Sequence, residues 1–549
     1  MRKTKTMALL LAAILVFTSG CSGKGDNTVI TTAGEHETVT DAGTAAAIRE
    51  VNTFPLSEEP IELTFFAVGS VMVEDFNTNL ETVEYEKKTN VHINWEVVNS
   101  DVTSKLNLSL ASGKYPDAYW NVNFNATQQL NYGEQGIFLR LNELIDKESY
   151  YVKQILEDRP DIREAITSPE GDIYSLFRTS GASHVENAQK MWVYKPWLDQ
   201  LGMDIPSTTE EYYNMLVAFR DHDMNGNGDS SDEYPLIGSK DGSYADVSGF
   251  LMNPFILNDG GRRINIVDGK LQAAYVQPEW REGLRYLNRL YEEGLLAKES
   301  FVQDKSQLQS LTADSDHIVI GSTPAMYPGI FVSEAAVPDL YSDYVVIPPL
   351  RTENSEPVTP RYYSDITVGS FVITKDCKYP EIAMRWVDGF YSEEQTLLST
   401  WGREGVEYEW VDETNIMGTK PSAKMLVTYT EPQNIFYKGL GPRYFTTEHR
   451  NSEVYEAGTL GTAMYEASLL YEPYFPEESM PQIIWPDASQ TEQLANYETL
   501  ITDYVKESTA AFIIGERSIE EDWDSYVNEL ETMGLEQYIK LYSDILGYN

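Results

Sequence analysis

The chain predicts an α/β protein, and three observations carry that reading. Strand-like and helix-like runs alternate from the start: IELTFFAV at 61–68, a helix end at Val83–Asn90, VHINWEVV at 91–98, then an apolar-periodic stretch Val102–Ser112. The 549 residues are too many for one ordinary domain. Beyond the leader there is no internal repeat and no run long and apolar enough to cross a bilayer, so neither a solenoid nor a membrane-embedded fold is expected.

Residues 1–20 read as a signal peptide. Arg2, Lys3 and Lys5 form a positive start and Ala8–Phe17 an apolar centre too short to span a membrane. Thr18-Ser19-Gly20-Cys21 resembles the bacterial lipobox, with Thr18 where Leu is usual, so Cys21 is the expected lipidation site; an ordinary secretory signal with a chance Cys is the alternative. Cys21 and Cys377 are the only cysteines, so a lipidated Cys21 leaves Cys377 without a disulfide partner. Residues 21–58, rich in Gly, Thr, Ala and Asp, read as a flexible tether, and 59–549 as the folded body. The expected location is the extracellular face of the cell membrane, anchored by lipid.

Along the body, Gly113–Asp117 breaks a helix and Ala118-Tyr119-Trp120 starts a short strand. Ligands of open α/β sheets collect at the carboxyl ends of strands, where Trp120 and Asn121 fall. Tyr132–Ile145 leads from a loop into a helix, and Ser168–Phe177 from a turn into a strand. Glu279–Glu293 is a helix with Trp280, Leu284, Leu287 and Leu290 inward and Gly294 as its cap. His317–Gly321 reads as a buried strand followed by a loop holding Tyr327, Ile366–Thr374 as a strand, Pro380–Tyr391 as a helix, and Glu492–Glu507 and Ile519–Tyr548 as late helices.

The sharpest chemical signal is Trp197–Leu236. A capping box, Ser207 with Glu210 or Thr208 with Glu211, precedes a helix whose Tyr212, Met215, Leu216 and Phe219 share one face. The helix runs into DHDMNGNGDSSDE. Counted from Asp221, oxygen side chains stand at positions 1, 3, 5, 9 and 12 (Asp221, Asp223, Asn225, Asp229 and Asp232), with Gly226 at 6 and the Asn227 carbonyl at 7. A second register runs through Asp223, Asn225, Asn227 and Asp229 to Asp232 and Glu233. Either spacing suits Ca²⁺, and so many crowded carboxylates repel unless neutralised. The bland alternative is an acidic loop of Asx-turns. One such loop without a paired partner reads as a structural clamp rather than a sensor.

Composition narrows the function. Against 41 Lys+Arg stand 86 Asp+Glu, a net charge of −45, which argues against a nucleic-acid partner and suits neutral ligands and cations. No GxSxG, HExxH, phosphate loop or Cys/His cluster occurs, and the six histidines are scattered, so no enzyme is expected; paired carboxylates of a glycoside hydrolase remain an alternative.

Several stretches together resemble the extracellular solute-binding proteins of bacterial ABC sugar importers, family 1, in particular the lipoprotein LplA-like branch. They are ASGKYPD (111–117), Tyr132–Ile145, WLDQLGMDIP (197–206), the acidic loop with Asp232–Leu236, LRYLNRLYEEGLLAKESF (284–301), RWVDGFYSEE (385–394), WGREGVEY (401–408) and IGERSIEEDW (514–523). The resemblance implies a two-lobed periplasmic-binding-protein-like fold of the class II type, its lobes discontinuous in sequence, the first beginning with about 59–170. It implies a monomer that traps a carbohydrate in the interlobe cleft and delivers it to ABC permease transmembrane subunits. It further implies structural calcium, in which the second register is favoured, although this chain has one extra residue before Asp232-Glu233.

Sugar rings offer flat C–H faces to aromatics and hydroxyl rims to Asp, Asn, Glu and Arg. Candidate ligand residues are Trp120, Asn121, Tyr327, Tyr363, Trp401, Arg403 and Glu404, followed by Asp117, Tyr119 and Trp485. An oligosaccharide is favoured over a monosaccharide. The acidic balance disfavours uronates unless basic residues such as Arg403 line the cleft. A surface adhesin that binds sugar without feeding a permease is the remaining alternative.

Overall fold

β1 (Ile61–Val68) and β2 (Val91–Val98) form where the alternating runs predict them and pair in parallel, Phe65 opposite Trp95. A parallel pair needs a crossover, supplied by the helix Leu80–Thr89 with Asn79 as its N-cap. β3 (Ala118–Trp120) and β4 (Leu176–Thr179) follow. The chain then crosses to a second sheet, laying down β5 (Met191–Tyr194), β6 (Tyr234–Leu236), the hairpin β7 (Ile264–Val267) and β8 (Lys270–Ala273), β9 (Ile320–Pro324) and β10 (Tyr344–Ile347). It returns as β11 (Ile366–Ile373), adds the hairpin β12 (Tyr408–Val411) and β13 (Ser422–Met425), and closes with β14 (Arg443–Tyr444). The resulting sheets have six strands, ordered β14-β4-β11-β3-β1-β2, and four strands, ordered β10-β5-β9-β6. In this computed structural model the described residues are 50–313, 317–333, 338–362, 365–456 and 458–548, within the compact unit Ala46–Asn549.

Each sheet carries its own core. Successive strand residues point to opposite faces, so Phe65 packs with Trp95, Phe371 and Trp386 on one side of the first sheet while Phe66 packs on Tyr119 on the other. Apolar side chains are buried on both faces of this sheet. The second sheet sits in a separate core that takes in Tyr212, Met215, Leu216 and Phe219, the inward face of Pro278–Glu292, and the late helices. After β14 the helix Leu460–Tyr471 joins this second core, and the Tyr471 hydroxyl donates to the Ile347 carbonyl at 2.6 Å. The chain thus passes between the two bodies three times: after β4, after β10 and after β14.

Of the two capping boxes the sequence allowed, Thr208 with Glu211 forms, and Ser207 also donates to Glu211 through its N–H and its hydroxyl. Gly294 adopts φ +70 one residue past the cap of its helix. Several predicted boundaries move. Asn125 and Gln128 make a capping box, so a helix Ala126–Glu134 runs into the stretch expected to begin as a loop at Tyr132. The strand expected at 317–321 lies at Ile320–Pro324. Gly534, at φ +96, divides the last helical stretch into Trp523–Thr532 and Leu535–Leu546.

Candidate functional site

The strand ends define the place to look. β1, β3 and β4 end at Val68, Trp120 and Thr179, and in the second sheet β6 and β9 end at Leu236 and Pro324. The segment after β9 brings Tyr327 to a cavity of about 430 Å³. Its other walls include Arg450, Asn451 and Glu453, which follow β14, and Met464 and Tyr465 of the crossing helix. Arg450 donates from Nε to the Ser180 carbonyl at 3.0 Å, which ties this wall to the end of β4. Asn451 is 6% exposed, and its Nδ2 has no hydrogen-bond partner. A buried amide donor left unpaired is costly, so a hydroxyl-bearing ligand would be favoured there. Glu453 is pushed up by burial and drawn back by Arg450.

A second groove follows β6. Three adjoining cavities of about 420, 670 and 400 Å³ meet at Arg262, which lines all three. Tyr244 holds φ +63, an uncommon conformation for a large residue, and packs on Tyr362 with ring centroids 4.9 Å apart. The Tyr362 hydroxyl donates to the Asp259 carbonyl. Asn125, Ala126 and Thr127 of the first lobe face Leu494 and Glu498 of the long helix Ala488–Ile513 across the smallest of these cavities. Beside it the Thr127 and Thr491 hydroxyls lie 3.2 Å apart and link the lobes directly.

The structure gathers few of the residues the sequence singled out. Trp120 is a core side chain: it is fully buried against Phe76, Trp95 and Tyr437 and shows no ring face to a ligand. Tyr119, on the opposite face of the sheet, is also fully buried and hydrogen-bonds Ser109 at 2.9 Å; burial raises its hydroxyl to about 12. Asp117 stands at the amino end of β3, away from the ligand-bearing ends, and accepts from the Thr64 N–H at 2.8 Å. Asn121 is at the carboxyl end, but its side chain is engaged: it donates to the Val68 carbonyl at 2.8 Å and accepts from Arg178 and the Gly441 N–H, each at 3.2 Å. Trp401 packs with Tyr408, Trp410 and Phe445 in a small separate cluster. Arg403 forks onto Glu407 at 3.0 and 2.8 Å, and Glu404 is exposed on the adjoining turn. Trp485 is half-buried beside Ile484 and Pro486, which line the smallest cavity at Arg262. Tyr327 alone among the aromatic candidates lines a described cavity; Tyr363 lies outside the described residues, as does Cys21. Missed from sequence were Tyr244, Arg262, Tyr362, Asn451 and Tyr465, which carry no local motif.

In the acidic loop, Asp221 is turned away, paired with Arg220 at 2.8 Å at the end of the helix. Asn225 and Asn227 both donate to Asp232, at 3.2 and 2.6 Å, and Asp223 accepts from the Gly226 and Gly228 N–H groups. The Asp229 carboxylate is taken by Ser231. Glu233 is 8% exposed; Oε1 accepts from Met224 and Asn225, while Oε2 is buried without a partner, and burial raises its carboxyl. No cluster of three or more His, Cys, Asp or Glu is close enough to share an ion among the described residues. The Asp232 carboxylate is thus held by the Asn225 and Asn227 amide nitrogens, whose own Oδ1 atoms accept from the Asn227 and Asp229 N–H groups, and the unpartnered Glu233 oxygen is close by in the chain.

Comparison with known proteins agrees with the fold. The fructooligosaccharide ABC transporter substrate-binding protein FusA of Streptococcus pneumoniae serotype 4 is 26% identical over 504 residues, 89% of this chain and 90% of that one. A solved structure of FusA, an EF-hand mutant in complex with fructo-nystose, matches with TM-score 0.67 at 25% identity, covering 88% of this chain and 98% of that one. An HMO-binding, ABC-transporter-associated solute-binding protein from Bifidobacterium longum infantis shares the fold at TM-score 0.75 and 20% identity, over 89% of this chain and 98% of that one. Residues 69–397 match the family described as bacterial extracellular solute-binding protein, and the chain belongs to that family.

Proposed function

We propose that this chain is the substrate-binding component of an ABC importer, that it holds an oligosaccharide between its two lobes, and that it passes the ligand on unaltered to permease subunits. The observation that carries this reading is the cavity at Tyr327. Two tyrosines, a cation, a carboxylate and a buried unpaired amide meet there on segments from both lobes. Rings cover sugar faces, the polar groups meet hydroxyls, and closure about the three crossings desolvates both together. Tyr327 is the one aromatic of the sequence-based set kept as a direct contact, joined by Tyr465, Asn451 and Glu453; Asn121 and Trp485 flank the cleft. A calorimetric screen against oligosaccharides tests this: at least one should bind one-to-one, and Tyr327→Ala should weaken it by about 1–3 kcal/mol, the worth of one stacked ring.

Within this reading residues 1–20 are a cleaved leader, 21–58 a tether and 59–549 the binding body, monomeric and fixed outside the cell by lipid on Cys21. No helix among the described residues is long and apolar enough to cross a membrane. Calcium in the 223–233 loop is part of the same proposal. The set Asp223, Asn225, Asn227, Asp232 and Glu233 is all hard oxygen, and the unpartnered Glu233 oxygen fits a cation. The turning of Asp221 to Arg220 favours this second register. The ion would act as a clamp on the loop between Thr209–Arg220 and β6.

A further inference from the structure

In a chain with twice as many acidic as basic residues, arginines usually find carboxylates. Arg178 and Arg443 do not. They are register partners on the parallel strands β4 and β14, so their side chains leave the sheet side by side. Among the described residues neither forms an ion pair, and neither does Arg450, the wall of the Tyr327 cavity. Arg178 donates to the neutral Asn121 amide oxygen at 3.2 Å. Arg443 is 8% exposed, donates from Nη1 to the Gly439 and Gly441 carbonyls, and leaves Nε buried without a partner. Arg450 donates to the Ser180 carbonyl and lies over the Phe445 ring, centroid 5.6 Å away.

Three guanidiniums near one another repel, and burial adds to the cost. Arg443 is held down to about 9, by burial first and then by the charges of Arg178 and Arg450. Burial also lowers Arg178 and Arg450. Of the acidic groups nearby, Glu453 faces Arg450 without closing an ion pair, and burial keeps the Tyr391 phenol beside Arg443 neutral by pushing it well up. Arg403, the basic residue the sequence would have placed here, is already neutralised by Glu407. A buried excess of positive charge is stabilised by an anion that forks onto guanidinium N–H groups.

We propose, resting on the carbohydrate-binding reading above, that Arg178, Arg443 and Arg450 form an anion-holding corner of the cleft, and that the saccharide this chain captures carries a carboxylate or a sulfate. Arg178 and Arg450, both half-buried, make the contacts, and Arg443 stands behind them as a fixed charge.

The test is calorimetry of the full mature chain with matched pairs: galacturonate, glucuronate and mannuronate trisaccharides and their methyl esters, a sulfated oligosaccharide of similar length, and neutral kestose. One acid should bind at least ~10-fold tighter than its own ester, with an affinity that falls as salt rises while the ester's does not. Arg178→Gln and Arg443→Gln should each bring the acid-to-ester ratio close to one, and Arg178→Lys should restore part of it. A sulfated ligand preferred over every uronate identifies the anion as sulfate. Equal binding of acid and ester, or variants that lower both alike, overturns the anion corner and leaves the carbohydrate reading intact. Failure of every saccharide to bind overturns both. If Arg443→Gln does not fold, the Arg178 variants and the salt titration decide.

Discussion

Trp120→Ala separates the two roles open to this residue. Its indole is fully buried and touches the rings of Trp95 at 5.3 Å, Tyr437 at 5.4 Å and Phe76 at 5.6 Å. A buried aromatic removes ~150–250 Å² from water, worth ~4–6 kcal/mol at about 25 cal/mol per Å². The truncation should therefore cost about 4 kcal/mol, within the range of large-to-small core changes. Trp120→Phe keeps most of the packing and deletes an indole N–H that is buried without a partner, so it should cost less than ~1.5 kcal/mol. Urea unfolding followed by far-ultraviolet circular dichroism reads both, and a saccharide titration of the folded fraction reads binding. Unchanged stability with lost binding would refute the core assignment and return Trp120 to the ligand.

Four other perturbations test separate parts of the account. Chelating calcium should lower the melting temperature: an ion at 100 times its Kd adds ~2.7 kcal/mol. At ~2.1 cal/mol/K per residue over about 500 residues that is ~2–3 °C, and Glu233→Gln should abolish the shift. Burial raises the Glu81 carboxyl to about 7 against the hydrogen bonds of Ser399, Tyr437 and Gln395. A raised carboxylate pKa favours the protonated fold, so its contribution is present at acid pH and is lost, by up to ~3 kcal/mol, as pH climbs from about 4.5 through about 7. Glu81→Gln should flatten that part of the stability–pH curve; an unchanged slope would count against the assignment. Gly441→Ala should destabilise, since Gly441 sits at φ +78 with the Trp120 ring against its α-carbon, and normal melting would contradict the described packing. Cys21→Ala should release the protein from membranes into the medium, and continued membrane association would exclude the lipid anchor.

Local signals were read well because their causes are local. Val91–Val98 alternates at period two, and Thr208 lies three residues before Glu211, so strand and cap follow from neighbours in the chain. The aromatic candidates fared worse because the partner that decides between core and cleft is distant in sequence. Trp120 meets Tyr437 more than 300 residues on, and nothing within AYWNVN reports this. β14, two residues long, has no pattern of its own, yet it sets Arg443 beside Arg178. For Asp117 the reason is simpler: a three-residue strand has its two ends close together, and Asp117 stands at the amino end.

The most direct measurement is to titrate the mature protein with an oligosaccharide panel and then recover the ligand for mass spectrometry. The account predicts that at least one oligosaccharide binds with one-to-one stoichiometry and returns with its mass unchanged. Binding by none, or recovery of shortened sugars, would contradict it.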